Sequence, residues 1–279
     1  MDIQIVTVYY LCDALLRAFK HQPDPQCRMS DAEIMTTALV ATLFFGANFE
    51  TARDFLQTHG YIPNMLSKSR FNRRLHRIKP MFTTLFEILG ESFVQLNKQN
   101  RYAVDTIPIV VCDNIRIRRS KIYTDEAFRG YQSSKRRYFY GLKIHLLVTA
   151  QRQPVEFFLT PGSTGDVEGL QYFDFDLPAG SRVYGDKAYN NYEIEDCLAE
   201  AGVELKPIRK KNSKRQYPPW EAYLVNYYRK SVEATASLME RLLPRSIHAV
   251  TPQGFELKVV LFVVATSINQ YEPTQNLLI

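Results

Sequence analysis

Residues 102–112 read YAVDTIPIVVC, an apolar, β-branched run in which Asp105 is the one group charged at neutral pH. Val104, Ile107, Ile109, Val110 and Val111 suit a buried strand, and Pro108 is expected to stop it. A carboxylate there costs on the order of several kcal/mol unless a cation pairs with it. Asp105 therefore calls for a positive partner.

Before this strand the texture is helical. Ser30 and Glu33 form a capping box ahead of IMTTALVATLFF, which Gly46 closes, and FETARDFLQTH makes a second helix ending at Gly60. SKSRFNRRLHRI is expected to be a third helix closed by Pro80, and TTLFEILGESFVQLNK a fourth. After Arg101 come strands at 102–111, 139–149 and 154–160, a short helix at 166–172, a strand ending RVYGD, the helix NYEIEDCLAEAG and the strand VELKPI. Helices around 221–243 and 254–270 finish the chain. The expectation is an α/β domain over 99–279, a mixed central sheet flanked by helices, preceded by an all-helical domain over 1–98.

The 279 residues are 46% hydrophobic, enough for two cores, and the net charge of +6 is mild. Four scattered cysteines without a CxxC argue against a zinc site or disulfide framework and fit a reducing cytoplasm. Asp2 and Asp13 disfavour a signal peptide, and VVLFVVATSI at 259–268 is too short to span a bilayer, so no membrane partner is expected. The five histidines lack metal-ligand spacing.

A second carboxylate, Asp186, ends the strand in SRVYGDKAYNN. If the two strands are neighbours, Asp105 and Asp186 point into one cleft at their carboxyl ends. Glu233 is the third candidate, flanking the helical stripe Val232, Thr235, Met239, Leu242 and Leu243, with Arg229 four residues before it. Three converging carboxylates suit hard divalent cations and phosphodiester chemistry. Spacing leaves blander readings open: each aspartate as a turn or cap residue, Glu233 as a helical partner of Arg229. Asp113, Asp166, Asp174 and Asp176 compete, with Asp166 expected to cap a helix after PGSTG.

Cations cluster in three places. Arg116, Arg118, Arg119, Lys121, Arg129, Lys135, Arg136 and Arg137 crowd one connection, interleaved with Tyr123, Phe128, Tyr131, Tyr138 and Tyr140. This suits DNA, or a solvated loop over core aromatics. KPIRKKNSKR, with Lys210 and Lys211, has no acid. In SKSRFNRRLHRI, Phe71, Leu75 and Ile78 form a narrow stripe while Lys68, Arg70, Asn72, Arg73, Arg74 and Arg77 cover the rest. That is the build of a recognition helix in a helix-turn-helix-like domain, or of an ordinary surface helix. A carboxylate-pair glycosidase is disfavoured by these clusters and by the single tryptophan, Trp220.

DTIPIVVCDNIRIRRSKIY, EAFRGYQSSKRRYFYGLKIHL, PVEFFLTPGSTGDVEGL, VYGDKAYNNYEIEDCL, PIRKKNSKR and YYRKSVEATASLMERLLPRSIHAVTPQGFELKV, in that order, resemble the DDE transposases of insertion-sequence family 982. SKSRFNRRLHR and FFGANFETARDFL extend the resemblance into the helical start. The resemblance implies a ribonuclease-H-like catalytic domain that cleaves and transfers DNA strands with two Mg²⁺ or Mn²⁺ ions. It further implies double-stranded DNA as partner (terminal inverted repeats and target) and a homodimer in the synaptic complex. Asp105, Asp186 and Glu233 match the metal-holding catalytic acids, at gaps of 186−105 = 81 and 233−186 = 47. Arg229 matches the signature arginine before the third acid, expected to touch DNA. Asn226 stands where the signature has Tyr, and Glu240 where it has Lys. A decayed or domesticated DNA-binding relative is the alternative.

Overall fold

The computed structural model describes residues 1–22, 26–132, 135–244 and 246–271. Ser133, Ser134 and Arg245, within the blocks quoted above, lie outside the described residues. The chain divides into two compact units, one formed by Met1–Leu89 with the residues from Met239 on, the other by Gly90–Leu238.

The first unit holds α1 (Asp2–Ala18), α2 (Asp31–Phe45), α3 (Phe49–Thr58), α4 (Lys68–Arg77) and the start of α5 (Lys79–Leu96). At α2 the capping box forms as expected: Glu33 N–H donates to Ser30 Oγ at 3.1 Å and Ser30 N–H to Glu33 Oε2 at 2.6 Å. Gly46 ends the helix at φ 55, a left-handed conformation that glycine adopts without strain. Pro80, expected to close α4, lies instead in the first turn of α5, where its missing N–H is harmless. The last helix, which becomes α9 in chain order (Pro252–Asn269), packs on α2 and so belongs to this unit, not to the expected 99–279 domain. The reason is apolar surface: α2 and α9 are both buried on nearly every side, so each needs the other.

Arg74 was grouped above with the outward-facing cations of α4. The structure turns it inward, 11% exposed, donating to the Asp31 carboxylate and the Met29 carbonyl. Burial alone would raise the Asp31 carboxyl, yet hydrogen bonds from His21, at 2.8 Å, and from Arg74 hold it below the usual carboxylate range. Arg74→Ala is expected to cost about 2 kcal/mol, since His21 still satisfies part of Asp31. Chemical denaturation checks this; an unchanged midpoint would return Arg74 to the surface set.

In the second unit the strands are β1 (Arg101–Asp113), β2 (Arg129–Gln132), β3 (Arg137–Thr149), β4 (Pro154–Pro161), β5 (Ser181–Gly185) and β6 (Val203–Pro207). They form one mixed sheet ordered β2-β3-β1-β5-β6, with β4 also on β3. β3 runs antiparallel to β1, β2 and β4, while β1, β5 and β6 are parallel. Pro108 does not stop β1; it pairs with Lys143 of β3. β5 reaches only Arg101–Ala103 of β1, so at Pro108 the opposite edge is open and no ladder donor is missed.

Three helices complete this unit: α6 (Asp166–Leu170), α7 (Tyr192–Glu200) and α8 (Pro219–Leu242), the last belonging here up to Leu238. Tyr102, Val104, Leu147, Val183, Leu205 and Tyr189 share a core with Phe173 and Phe175. Among the described residues no single helix is long and apolar enough to cross a membrane.

Candidate active site

The condition set by the sequence is met: β1 and β5 are adjacent and parallel, with Ala103 opposite Tyr184. Asp105 and Asp186 each follow the last paired residue of their strand by two positions (105−103 = 186−184 = 2), at the same end of the sheet, and the charge of Asp186 acts on Asp105. Asp186 follows Gly185 and caps the short turn Lys187–Tyr189, accepting from Lys187 N–H at 2.6 Å. A Cβ at Gly185 would stand 2.9 Å from the Tyr189 ring, so glycine lets that ring fold back under the strand end.

Beneath Asp105 lies a chain of neutral polar groups. Thr106 N–H donates to Asp105 Oδ1 at 2.8 Å, and Thr106 Oγ1 is 3.0 Å from the Tyr189 hydroxyl and 3.2 Å from His145 Nδ1. His145 Nε2 is 2.9 Å from Thr160 Oγ1, and the ring stacks on Phe158 at 4.7 Å. Burial pushes the His145 pKa down to about 4, so the ring is neutral and structural. Gly169 makes room for it: a Cβ there would fall 2.2 Å from the imidazole. Thr106, His145 and Tyr189 were absent from the sequence-derived site because only the β1–β3 register sets Thr106 against His145, and only the turn after β5 folds Tyr189 onto Thr106.

Burial lifts the Asp105 pKa to about 6. The Thr106 amide and Arg229 act against the rise, and the negative charges of Asp166 and Asp186 add to it. Asp166 is not a cap but the first residue of α6, behind Gly165, with its carboxylate 3.5 Å from Lys143 Nζ. The sequence had placed it among the competing carboxylates, as the one expected to cap a helix after PGSTG.

Glu233 is not gathered with these groups. Its side chain is 48% exposed and accepts from Arg229 Nη2 at 2.6 Å, the local helical pair that spacing allowed. Helix α8 is fixed by Tyr228, which stacks on Tyr184 at 5.0 Å under the Arg101 guanidinium at 4.5 Å. Thr235 Oγ1 donates to the Arg152 carbonyl at 2.9 Å. Among the described residues no three His, Cys, Asp or Glu side chains form a group able to hold a metal ion. The donor chemistry nonetheless fits a hard cation. Asp105 is a half-buried carboxylate made uncomfortable by two like charges, and every candidate donor is oxygen.

The cationic candidates divide. Arg70, Arg73 and Arg77 are exposed, whereas Lys68 pairs with Glu50 at 2.6 Å and Asn72 is half-buried in a 570 Å³ cavity lined also by His76, His248 and Lys258. Arg116, Arg118, Arg119, Lys121, Lys135, Arg136, Lys210 and Lys211 are exposed. Arg137 is tied to Asp113 at 2.9 Å, and Arg129 to Glu126 at 3.3 Å and to the Tyr138 ring at 4.6 Å. Of the interleaved rings, Tyr131 and Tyr138 are exposed, but Tyr123 and Tyr140 are buried and serve the core. The Arg116–Lys121 segment also begins further from Asp105 than expected. β1 continues eight residues past it (113−105 = 8), about 26 Å of strand.

No curated protein matches the sequence. The cryo-EM structure of the piggyBac transposase synaptic complex with hairpin DNA is similar at a TM-score of 0.51 and 11% identity, over 97% of this chain and 72% of that one. At that identity the likeness is one of fold. The transposase DDE domain matches residues 96–243, more than half of the chain and a span that includes Asp105, Asp186 and Glu233. On that match the chain belongs to the transposase DDE domain family.

Proposed function

We propose that the protein cuts DNA at the terminal inverted repeats of its own insertion sequence, of the 982 family, and joins the freed ends to target DNA. The observation that carries this reading is that Asp105 and Asp186 follow the paired ends of the adjacent parallel strands β1 and β5 and feel each other's charge, inside the family match. Antiparallel β3 on one side of β1 and parallel β5 and β6 on the other support a ribonuclease-H-like catalytic domain. Asp105 and Asp186 would hold Mg²⁺ or Mn²⁺, two ions in all, with Glu233 joining them on release from Arg229. Metal bound there supplies a nucleophile at neutral pH and charge stabilisation on the phosphodiester.

The protein's own groups do the rest. The Thr106–His145–Tyr189 floor keeps the Asp105 carboxylate in place, and Arg229, once free of Glu233, meets a DNA phosphate. Arg70, Arg73 and Arg77 grip the element's end from a helix-turn-helix-like domain. The exposed cations between Arg116 and Arg136, with Lys210 and Lys211, follow the flanking duplex. The working form is a homodimer in the synaptic complex, in the cytoplasm and nucleoid-associated.

The test is incubation of the protein with a duplex carrying its element's end, with and without Mg²⁺, and mapping of the nick. A Mg²⁺-dependent nick at the element boundary is expected. End binding without a nick would favour a decayed DNA-binding relative, the reading to which the Arg229–Glu233 pair lends weight. Alanine at Arg70, Arg73 and Arg77 together is expected to flatten the slope of log affinity against log salt by about 2.7, the loss of three phosphate contacts. An unchanged slope would make α4 an ordinary surface helix.

A further inference from the structure

Helix α8 carries three large rings on its water-facing side. Trp220, Tyr223 and Tyr227 are 64%, 68% and 56% exposed, while Tyr228, one residue on, is packed under Arg101. Steps of three and four residues set the three in one row along the helix. The Tyr223 and Tyr227 rings are near-parallel, 22° apart in plane with centroids 6.3 Å apart. The same face continues through exposed Lys230 to exposed Glu233. From Tyr223 to Glu233 the other exposed positions of the helix are Asn226, Tyr227 and Lys230, with no aliphatic side chain of the kind that would seat an apolar protein partner.

We infer that this row is a stacking platform for unpaired nucleobases of a DNA strand led past Glu233. Flat rings accept the face of any base, and Lys230, which makes no ion pair among the described residues, offers a phosphate its charge. Tyr227 precedes Glu233 by six residues (233−227 = 6), about 9 Å along the helix axis. That is about two to three stacked base steps at roughly 3.4 Å each. The platform thus holds bases about two or three nucleotides from the bond to be cut. The inference rests on the DNA-cleaving reading and adds to it a single-stranded substrate region and the residues that recognise it.

Trp220 is the sole tryptophan, so its emission reports on this face alone. Full-length protein is titrated with a labelled single strand of about 16 nucleotides, the upper end of known single-strand site sizes. Anisotropy reads binding and Trp220 emission reads stacking. Quenching that saturates with binding is expected. Tyr223→Ala/Tyr227→Ala should weaken single-strand binding by about tenfold or more, with the far-UV dichroism of the folded chain unchanged. The proposal is overturned if the wild type does not bind the single strand, or binds it with Trp220 emission unchanged. It is equally overturned if that emission shifts with protein concentration alone, the mark of a face for a second copy of the chain. Binding and nicking of the duplex end, measured in parallel, test the transposase reading separately, so the two failures are told apart by the form of DNA concerned.

Discussion

Asp105→Ala, Asp186→Ala and Glu233→Ala are each expected to slow nicking at the element's end by about 1,000-fold or more, with end binding nearly unchanged. Loss of a metal-holding carboxylate removes several kcal/mol of charge stabilisation at the phosphodiester, and about 4 kcal/mol is about 1,000-fold. Binding should survive because the proposed function assigns the phosphates to the exposed cations and not to these acids. Glu233 is the decisive member of the set, because it is paired with Arg229 and, among the described residues, forms no metal-holding group with the two aspartates. Asp166 is its rival, since its charge already acts on Asp105. Near-normal nicking by Glu233→Ala together with dead Asp166→Ala would move the third role to Asp166. The reverse result would establish that the Arg229–Glu233 pair opens in the active complex.

What could be read from the sequence was local. Ser30, Glu33 and Gly46 announce both ends of α2 because capping is settled within a few residues. Asp186 after RVYG announces a strand end for the same reason, and the parallel neighbour it needed is there. The misreadings were long-range. Pro108 reads as a stop until it is known that β5 leaves that edge of β1 open. Arg74 differs from Arg73 and Arg77 only in meeting Asp31, 43 positions earlier in the chain. Tyr123 and Tyr140 alternate with cations just as Tyr131 and Tyr138 do, and only packing separates core from surface. The α9 run was read as too short to span a bilayer, but a run apolar on all sides does not name its partner, and that partner proved to be α2. The row of rings on α8 was visible as spacing and went unread, because exposure is not written in spacing.

In the presence of a chelator, Asp105→Asn is expected to make the protein more stable than wild type at neutral and alkaline pH, by up to about 3 kcal/mol. The Asp105 carboxyl rises from 3.8 when unfolded to about 6 when folded, through burial first and then through Asp166 and Asp186, against the Thr106 amide and Arg229. Between those values the folded chain holds a proton that the unfolded chain has released. Stability therefore falls as pH rises from about 4 to about 6, and the full penalty persists above that window. The shift, 6−3.8 = 2.2 units, sets the upper bound at roughly 1.36 kcal/mol per unit. Asparagine keeps an acceptor for Thr106 N–H and removes the charge, so its advantage should close as pH falls toward 4. Added Mg²⁺ should then raise the melting temperature of the wild type, because an ion that binds the folded state alone stabilises it, and leave the variant almost unmoved. Melting curves of both proteins across this pH range, with chelator and with Mg²⁺, decide the matter. A variant less stable than wild type at every pH would mean that Arg229 already satisfies Asp105, and that this half-buried carboxylate is a structural ion-pair member with no unmet demand for a metal.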